Sequence, residues 1–407
     1  MFTYTVHLNA MVEQAVARDD EILSRQARRP VRPPARLAPL LLSVSSSALV
    51  VLGVVVAEMS ARAYAPDYIV NARGPYGFSD TYGWAPRAGA SLAIDGKRVS
   101  FNAGGYRGRE LTLPKAGDRT RVVVLGDSIA FGLGVADEQT FTHLLDARDN
   151  GIEAENLAVQ GYGPDQELLV LLRRGLRDDP DVVVLAFCLA NDFADAVLPT
   201  SLYDGRTPKP RFRLVGDRLV LDNANLHQSA PQRVHQWLSD SSHLFNRAAA
   251  LGPRREPPLS VEWHARKREA LGDEGYALRL NLALVRRMNV LCQERGIAFL
   301  VATFPTPFSW EEESWLAGTF VESLQTDGIT VVDMATRFRA RGLTFDAVTL
   351  DGVGHLNPLG HAIASEILEH EVASRTRRAS LDQKPDEPSD VNDKPALHSP
   401  RTGAGAR

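Results

Sequence analysis

The chain changes its hydrophobic rhythm once, near residue 120. Before that point one apolar run dominates: residues 37–57 carry no charge from Leu37 to Ala57. A helix of these 21 residues would rise about 31 Å, enough to cross a hydrocarbon core. Ser43, Ser45, Ser46 and Ser47 interrupt the run, but a serine hydroxyl can bond back to its own helix. From Arg121 onward, short β-branched runs alternate with longer segments of helical period. Strands are predicted at 122–125, 153–157, 182–187, 297–303 and 329–333. Unbroken apolar strands of this kind suit a parallel sheet covered on both faces. Helices are predicted at 140–148, from Pro164 to the Asp178-Asp179-Pro180 stop, and at 274–295, 311–325 and 358–373. Proline suits a first helical position, and Leu168, Leu169, Leu172 and Leu176 give the second helix an apolar face. The expected fold class is α/β, a three-layer α/β/α parallel sheet of flavodoxin-like type.

The rest of the chain divides by composition. Residues 66–118 are rich in glycine, tyrosine and proline, with short strands at 91–94 and 98–101, and read as a small β-rich lead-in. The α/β domain spans 119–373, with an insertion at 194–272. Within that insertion residues 211–221 alternate around Gly216-Asp217, the signal of a type I′ hairpin. The tail, 374–407, is polar and reads as disordered.

Charge adds an orientation. Six arginines (Arg18, Arg25, Arg28, Arg29, Arg32, Arg36) precede the apolar run, and only Arg62 and Arg73 follow closely. This bias predicts a single-pass anchor at 37–57, with residues 1–36 cytoplasmic and the remainder periplasmic or extracellular. Ala63-Tyr64-Ala65 offers the competing reading of a cleaved signal peptide, against which the apolar core is long. A net charge of −4 with no basic stripe beyond the N-terminal region gives no reason to expect nucleic acid. The two cysteines, Cys188 and Cys292, lie in or beside apolar segments and read as buried thiols. Neither a disulfide framework nor a metal cluster can be built from them.

Four blocks fall at the carboxyl ends of predicted strands, where open α/β sheets gather their ligands. Gly126-Asp127-Ser128 ends the first strand, and Gly161 follows the second. Asn191-Asp192 follows the third, while Asp351 and His355 precede the last helix. This order resembles the SGNH (GDSL-type) hydrolase family over residues 121–373. Phe101-Asn102-Ala103-Gly104-Gly105-Tyr106-Arg107-Gly108 and Phe131-Gly132-Leu133-Gly134-Val135 resemble membrane-anchored bacterial members. The resemblance implies a serine hydrolase without cofactor or metal. Serine is a weak nucleophile at its free pKa, so an imidazole must take its proton, and His355 is the candidate base for Ser128. Asp351 is the nearest carboxylate able to orient that ring. The backbone N–H groups of Ser128 and Gly161 and the side-chain amide of Asn191 would form the oxyanion hole.

The chain departs from the family in two places. Asp351 and His355 are separated by three residues, including Gly352 and Gly354, where the family usually has two. That leaves Asp346, or a Ser–His dyad, as options and predicts a flexible loop. Leu189 stands where the family often has glycine, which places a larger side chain near the oxyanion hole. Asp127 reads as structural, and His361 as a surface or capping residue. There is no Gly-Lys-Ser/Thr for a P-loop, no complete Gly-x-Ser-x-Gly elbow because Ala130 ends it, and no His-x-x-x-His zinc spacing.

The expected function is hydrolysis of a small, acetyl-like acyl ester on a cell-envelope or secreted glycan. An O-acyltransferase using the same triad is the near alternative, and a catalytically silent glycan-binding or assembly protein the distant one. Trp84, Trp237, Trp263, Trp310 and Trp315 are candidate sugar platforms, with core packing the commoner fate of an indole.

Overall fold

The computed structural model describes residues 37–64, 74–251 and 259–382, apart from positions 95, 116, 118, 149, 224–225, 308–309 and 311–313. The expectations for residues 1–36 and 383–407 lie outside the described residues.

The lead-in forms two antiparallel pairs. Strand β1 (Tyr76–Ser79) pairs with β2 (Gly83–Pro86), and β3 (Ser91–Ile94) with β4 (Lys97–Ser100). Phe101, expected inside the last of these strands, makes an isolated bridge to Arg107 instead. The main sheet follows, from β5 (Thr120–Gly126), β6 (Ile152–Asn156) and β7 (Val182–Cys188). The insertion carries the hairpin β8 (Arg211–Val215) and β9 (Arg218–Asp222). Strands β10 (Ala298–Phe304) and β11 (Thr330–Asp333) complete the sheet.

Its order is β11-β10-β7-β5-β6, and every pairing is parallel. This is the flavodoxin-like order, whose direction reverses between β5 and β7. Val122, Val123, Val124 and Leu125 are fully buried, because alternate side chains enter opposite layers. Burial of each such aliphatic side chain is worth about 1.5–3 kcal/mol. On one face Val122 and Val124 meet Phe141 and Leu145 of the helix Phe141–Ala147, and Ala364 and Leu368 of the helix Pro358–Asp382. On the other, Val123 and Leu125 meet Leu168 of Pro164–Arg173, Val285 of Glu274–Gln293 and Phe320 of Trp315–Thr326.

Other details also differ from the sequence reading. The helix expected from 311 begins at Trp315, because the Ser314 hydroxyl accepts the Ala317 N–H and caps it there. The last helix runs on to Asp382, nine residues past Ala373, through a stretch free of proline and glycine. The hairpin turn has φ +61 at Gly216, while Asp217 is not among the residues with positive φ. A type I′ turn needs both, so glycine in the first position alone selects the II′ family. The insertion carries three helices, Ala230–Ser241, His243–Leu251 and Leu259–Ala270, beside its hairpin.

The N-terminal apolar run forms the helix Leu37–Tyr64. Residues Leu42–Tyr64 are long and apolar enough to cross a membrane, a character that an anchor and a signal sequence share. Leu49, Val50 and Val51 are strongly exposed. Beyond Ala57 the helix docks on the insertion. Glu58 accepts the N–H groups of His243 and Leu244 at 2.9 Å and the Ser242 hydroxyl at 2.8 Å.

Candidate active site

Ser128 opens a short helix, Ser128–Phe131, immediately after β5 and beside the reversal point of the sheet. Chain geometry forces the approach. Gly126 has φ +155, and a Cβ there would lie 2.8 Å from the Ala130 Cβ and 3.1 Å from that of Ala186. Asp127 then caps the helix by accepting the Ile129 N–H at 2.9 Å. At the far end Arg107 of the lead-in is buried against the turn after the serine. It donates to the carbonyls of Phe131 (2.8 Å), Gly132 (2.6 Å) and Val135 (2.7 Å) and pairs with Asp137 at 2.7 Å. Charge-assisted bonds to helix-terminal carbonyls fix the Ser128 turn from behind.

His355 reaches Ser128 from the loop before the last helix. The Ser128 hydroxyl donates to His355 Nε2 at 2.9 Å, and His355 Nδ1 donates to Asp351 Oδ2 at 2.6 Å. This direction follows from the carboxylate, which can only accept when ionised. The loop is not loose, although two glycines stand in it. Asp351 Oδ1 accepts the N–H groups of Val353 and Gly354 at 3.0 Å and of His355 at 3.2 Å, and Leu350 N–H closes on the His355 carbonyl at 2.7 Å. Gly354 has φ +115, and a Cβ there would come within 2.6 Å of the Pro305 carbonyl just past β10. The three-residue spacing therefore works as a turn whose first residue caps its own backbone. Asp346 lies exposed on the helix Phe345–Val348, and Asp351 makes the histidine contact.

Electrostatics follow from this contact. Burial would raise the Asp351 carboxyl, but His355 and the loop N–H groups hold it at about 2. Burial would lower the His355 imidazole, yet the Asp351 bond and charge, helped by Asp127, raise it above its ordinary value. His361 has the opposite fate. It is fully buried, accepts the Phe141 N–H at 3.2 Å, and burial with nearby Arg107 pushes it down to about 3. It caps a helix as expected but is not on the surface.

The three expected oxyanion donors divide. Among the described residues neither the Ser128 N–H nor the Gly161 N–H has an acceptor. Gly161 sits at φ +78, and a Cβ there would meet Tyr203 at 3.1 Å and Trp84 at 3.5 Å. The Asn191 amide, in contrast, faces carboxylates. Its Nδ2 donates to Asp195 at 2.8 Å and Asp127 at 3.1 Å, with Asp192 at 3.3 Å. Both of its hydrogens are thus engaged by carboxylates in this structure. Leu189, expected to crowd this region, packs against the second core layer instead.

Behind Asn191 lies a group of acids that the sequence did not reveal. Asp127, Glu167, Asp192 and Asp195 are all buried, and both Glu167 oxygens lack a hydrogen-bond partner. Burial raises all four, and repulsion from neighbouring acids adds to it at Glu167 and Asp192, which rise strongly, and at Asp195, which is pushed up to about 8. A fifth acid, Asp165, forms a fully buried ion pair with Lys209. Asp165 and Glu167 occupy the first turn of a helix, where acids usually face water beside the positive dipole end. That ordinary signal hid their burial. No group of residues able to hold a metal ion occurs among the described residues. Both cysteines are buried and free.

Residues 124–363, more than half of the chain, match the model of the GDSL-like lipase/acylhydrolase family. A search of the curated proteins finds no match. Among solved structures, the chain is similar to a member of the lipolytic G-D-S-L family from Veillonella parvula (12% identity, TM-score 0.34, covering 63% of this chain and 99% of that one). It is also similar to a GDSL-like lipase from Bacteroides thetaiotaomicron (12%, TM-score 0.34, covering 65% and 93%). A third likeness is to a catalytic mutant of an acetylxylan esterase from Geobacillus stearothermophilus (12%, TM-score 0.36, covering 63% and 96%). On the family match, the chain belongs to the GDSL-like lipase/acylhydrolase family and is a serine hydrolase of the SGNH type.

Proposed function

We propose that this protein is an esterase that removes a small acyl group, acetate in size, from a cell-envelope or secreted glycan, with Ser128 as nucleophile. The relay from Ser128 through His355 to Asp351, at 2.9 and 2.6 Å, carries this reading. His355 takes the hydroxyl proton as Ser128 Oγ bonds to the ester carbonyl carbon, and then gives it to the departing alcohol. Water repeats the sequence on the acyl-enzyme and frees the acid. The negative oxygen of each tetrahedral intermediate sits between the Ser128 and Gly161 N–H groups. Asn191 joins them by turning one N–H from Asp127, its longer contact of the two committed bonds, toward that oxygen.

Two features support a short acyl group. Ser128 is only 3% exposed. Tyr203 and Trp84 also close on the Gly161 side, where a Cβ would press on the Tyr203 ring at 3.1 Å. The glycan acceptor rests on the anchor, which keeps the enzyme at the cell envelope with its N-terminus cytoplasmic and its catalytic domain outside. Hydrolysis of p-nitrophenyl acetate by the full-length protein tests the chemistry, together with mass spectrometry for an acylated Ser128. Activity that survives in Ser128→Ala would refute the mechanism. Release of acetate from an acetylated envelope glycan, compared with transfer to added unacetylated glycan, tests the acceptor.

A further inference from the structure

The last turns of the N-terminal helix dock on one corner of the insertion, and that corner ends in an exposed indole. Glu58 holds Ser242, His243 and Leu244, and the Arg62 guanidinium donates to the Ser241 carbonyl. Glu58 is the first charged residue after the apolar run that closes at Ala57. The corner from Ser241 to Leu244 is therefore fixed at the level where the helix would leave the hydrocarbon. The helix Ala230–Ser241 runs into this corner, and it has no buried residue. Trp237 and Val234, three residues apart on one face, are 64% and 57% exposed.

Trp237 is four residues from Ser241, about 6 Å along a helix axis in any orientation. The headgroup layer on each side of a bilayer is roughly 5–7 Å thick. The indole is thus held within reach of that layer, where tryptophan is favoured because its ring is amphipathic. We propose that the Ala230–Ser241 helix rests in the interface of the membrane that the anchor crosses, with Trp237 and Val234 entering the headgroup–acyl boundary. The contact is monotopic and supplements the span. It also orients the enzyme. Asp240 pairs with Arg87 at 2.7 Å at the end of β2, and Trp84 of that strand donates its indole N–H to the Gln160 carbonyl at 3.0 Å, next to Gly161. The docked corner is connected to the oxyanion loop through one ion pair and one short strand.

This inference rests on the anchored reading, and its test separates the two. Full-length protein is placed in phosphatidylcholine vesicles whose acyl chains carry bromine near the headgroup or near the far end. Tryptophan emission is then compared with unbrominated vesicles. Shallow bromine is expected to quench the native protein, and Trp237→Phe to abolish that quenching. Trp315→Phe, which removes the other strongly exposed indole, is expected to leave it intact. A Leu49→Trp probe in the Trp237→Phe background reports the anchor and is expected to be quenched by deep bromine. If that probe is quenched while Trp237→Phe changes nothing, the interfacial helix is refuted and the anchor stands. If neither responds, both fall.

Discussion

Asp351 and Asp195 flank the same catalytic rim and have opposite ionisation. Asp351, at the front, meets a histidine ring and three backbone N–H groups, and its carboxyl is held at about 2. Asp195, at the back, is fully buried beside other acids and is pushed up to about 8, despite the Asn191 amide and the Lys209 charge. The residue type is the same, and surroundings decide whether it holds charge. The front carboxylate is held ionised beside the imidazole, where in the proposed mechanism it would stabilise the charge that appears on His355. Burial and neighbouring acids favour the protonated form of Asp195, which fills space behind the amide of Asn191.

The largest effect that can break this contrast lies at the front. Ser128→Ala is expected to lower kcat for p-nitrophenyl acetate on the order of 10⁵-fold, because the relay then has no nucleophile. Asp351→Asn is expected to cost about 10⁴-fold, since an amide there favours the wrong imidazole tautomer. The same variant carries a pH signature. His355 must be neutral to accept a proton, so kcat/KM rises with pH through its raised pKa; the rising limb of wild type should lie above the ordinary histidine value. Removing the Asp351 charge lowers that pKa, and the residual limb should move toward acid. A limb that stays in place would separate Asp351 from the base.

Asn191→Ala sharpens the boundary between front and back. If its amide turns toward the oxyanion, kcat falls by about 10²- to 10³-fold with little change in KM. If the amide serves only the buried acids, thermal stability falls and kcat hardly moves.

The smallest effect is expected at the back. Acids whose folded pKa is raised bind more protons folded than unfolded, so stability falls as pH rises between the two values. For Asp195 that window runs from the ordinary aspartate value of about 4 to about 8. Glu167→Gln removes one raised acid without changing its shape, and should flatten the decline of Tm with pH across this window by a few degrees. A wild-type Tm that is constant from acid to neutral pH would show that the back acids are already ionised without cost.

Much of this architecture was written locally. The β-branched runs predicted the parallel sheet, because strands buried on both faces need apolar residues at successive positions. Gly126-Asp127-Ser128 was legible as a turn at a strand end, since only glycine tolerates the φ of +155 and the crowding at Ala130. The burial of Cys188 and Cys292 followed from their apolar neighbours. The Asp351–His355 spacing was harder to read. It suggested looseness, yet Asp351 uses its second oxygen to order the loop, and Gly354 is pressed on Pro305. Neither contact has a signature in the order of residues.

The sequence by itself determined the long apolar N-terminal helix, the alternation of strands and helices, and which residues stand at strand ends, because these depend on local periodicity and on φ preferences. Only the tertiary structure decided which carboxyls are held low and which are pushed up, where the Asn191 amide points, and that Arg107 braces the turn after Ser128. Those outcomes depend on burial and on partners brought from distant segments. A residue's charge state is a property of its surroundings, which the chain acquires on folding.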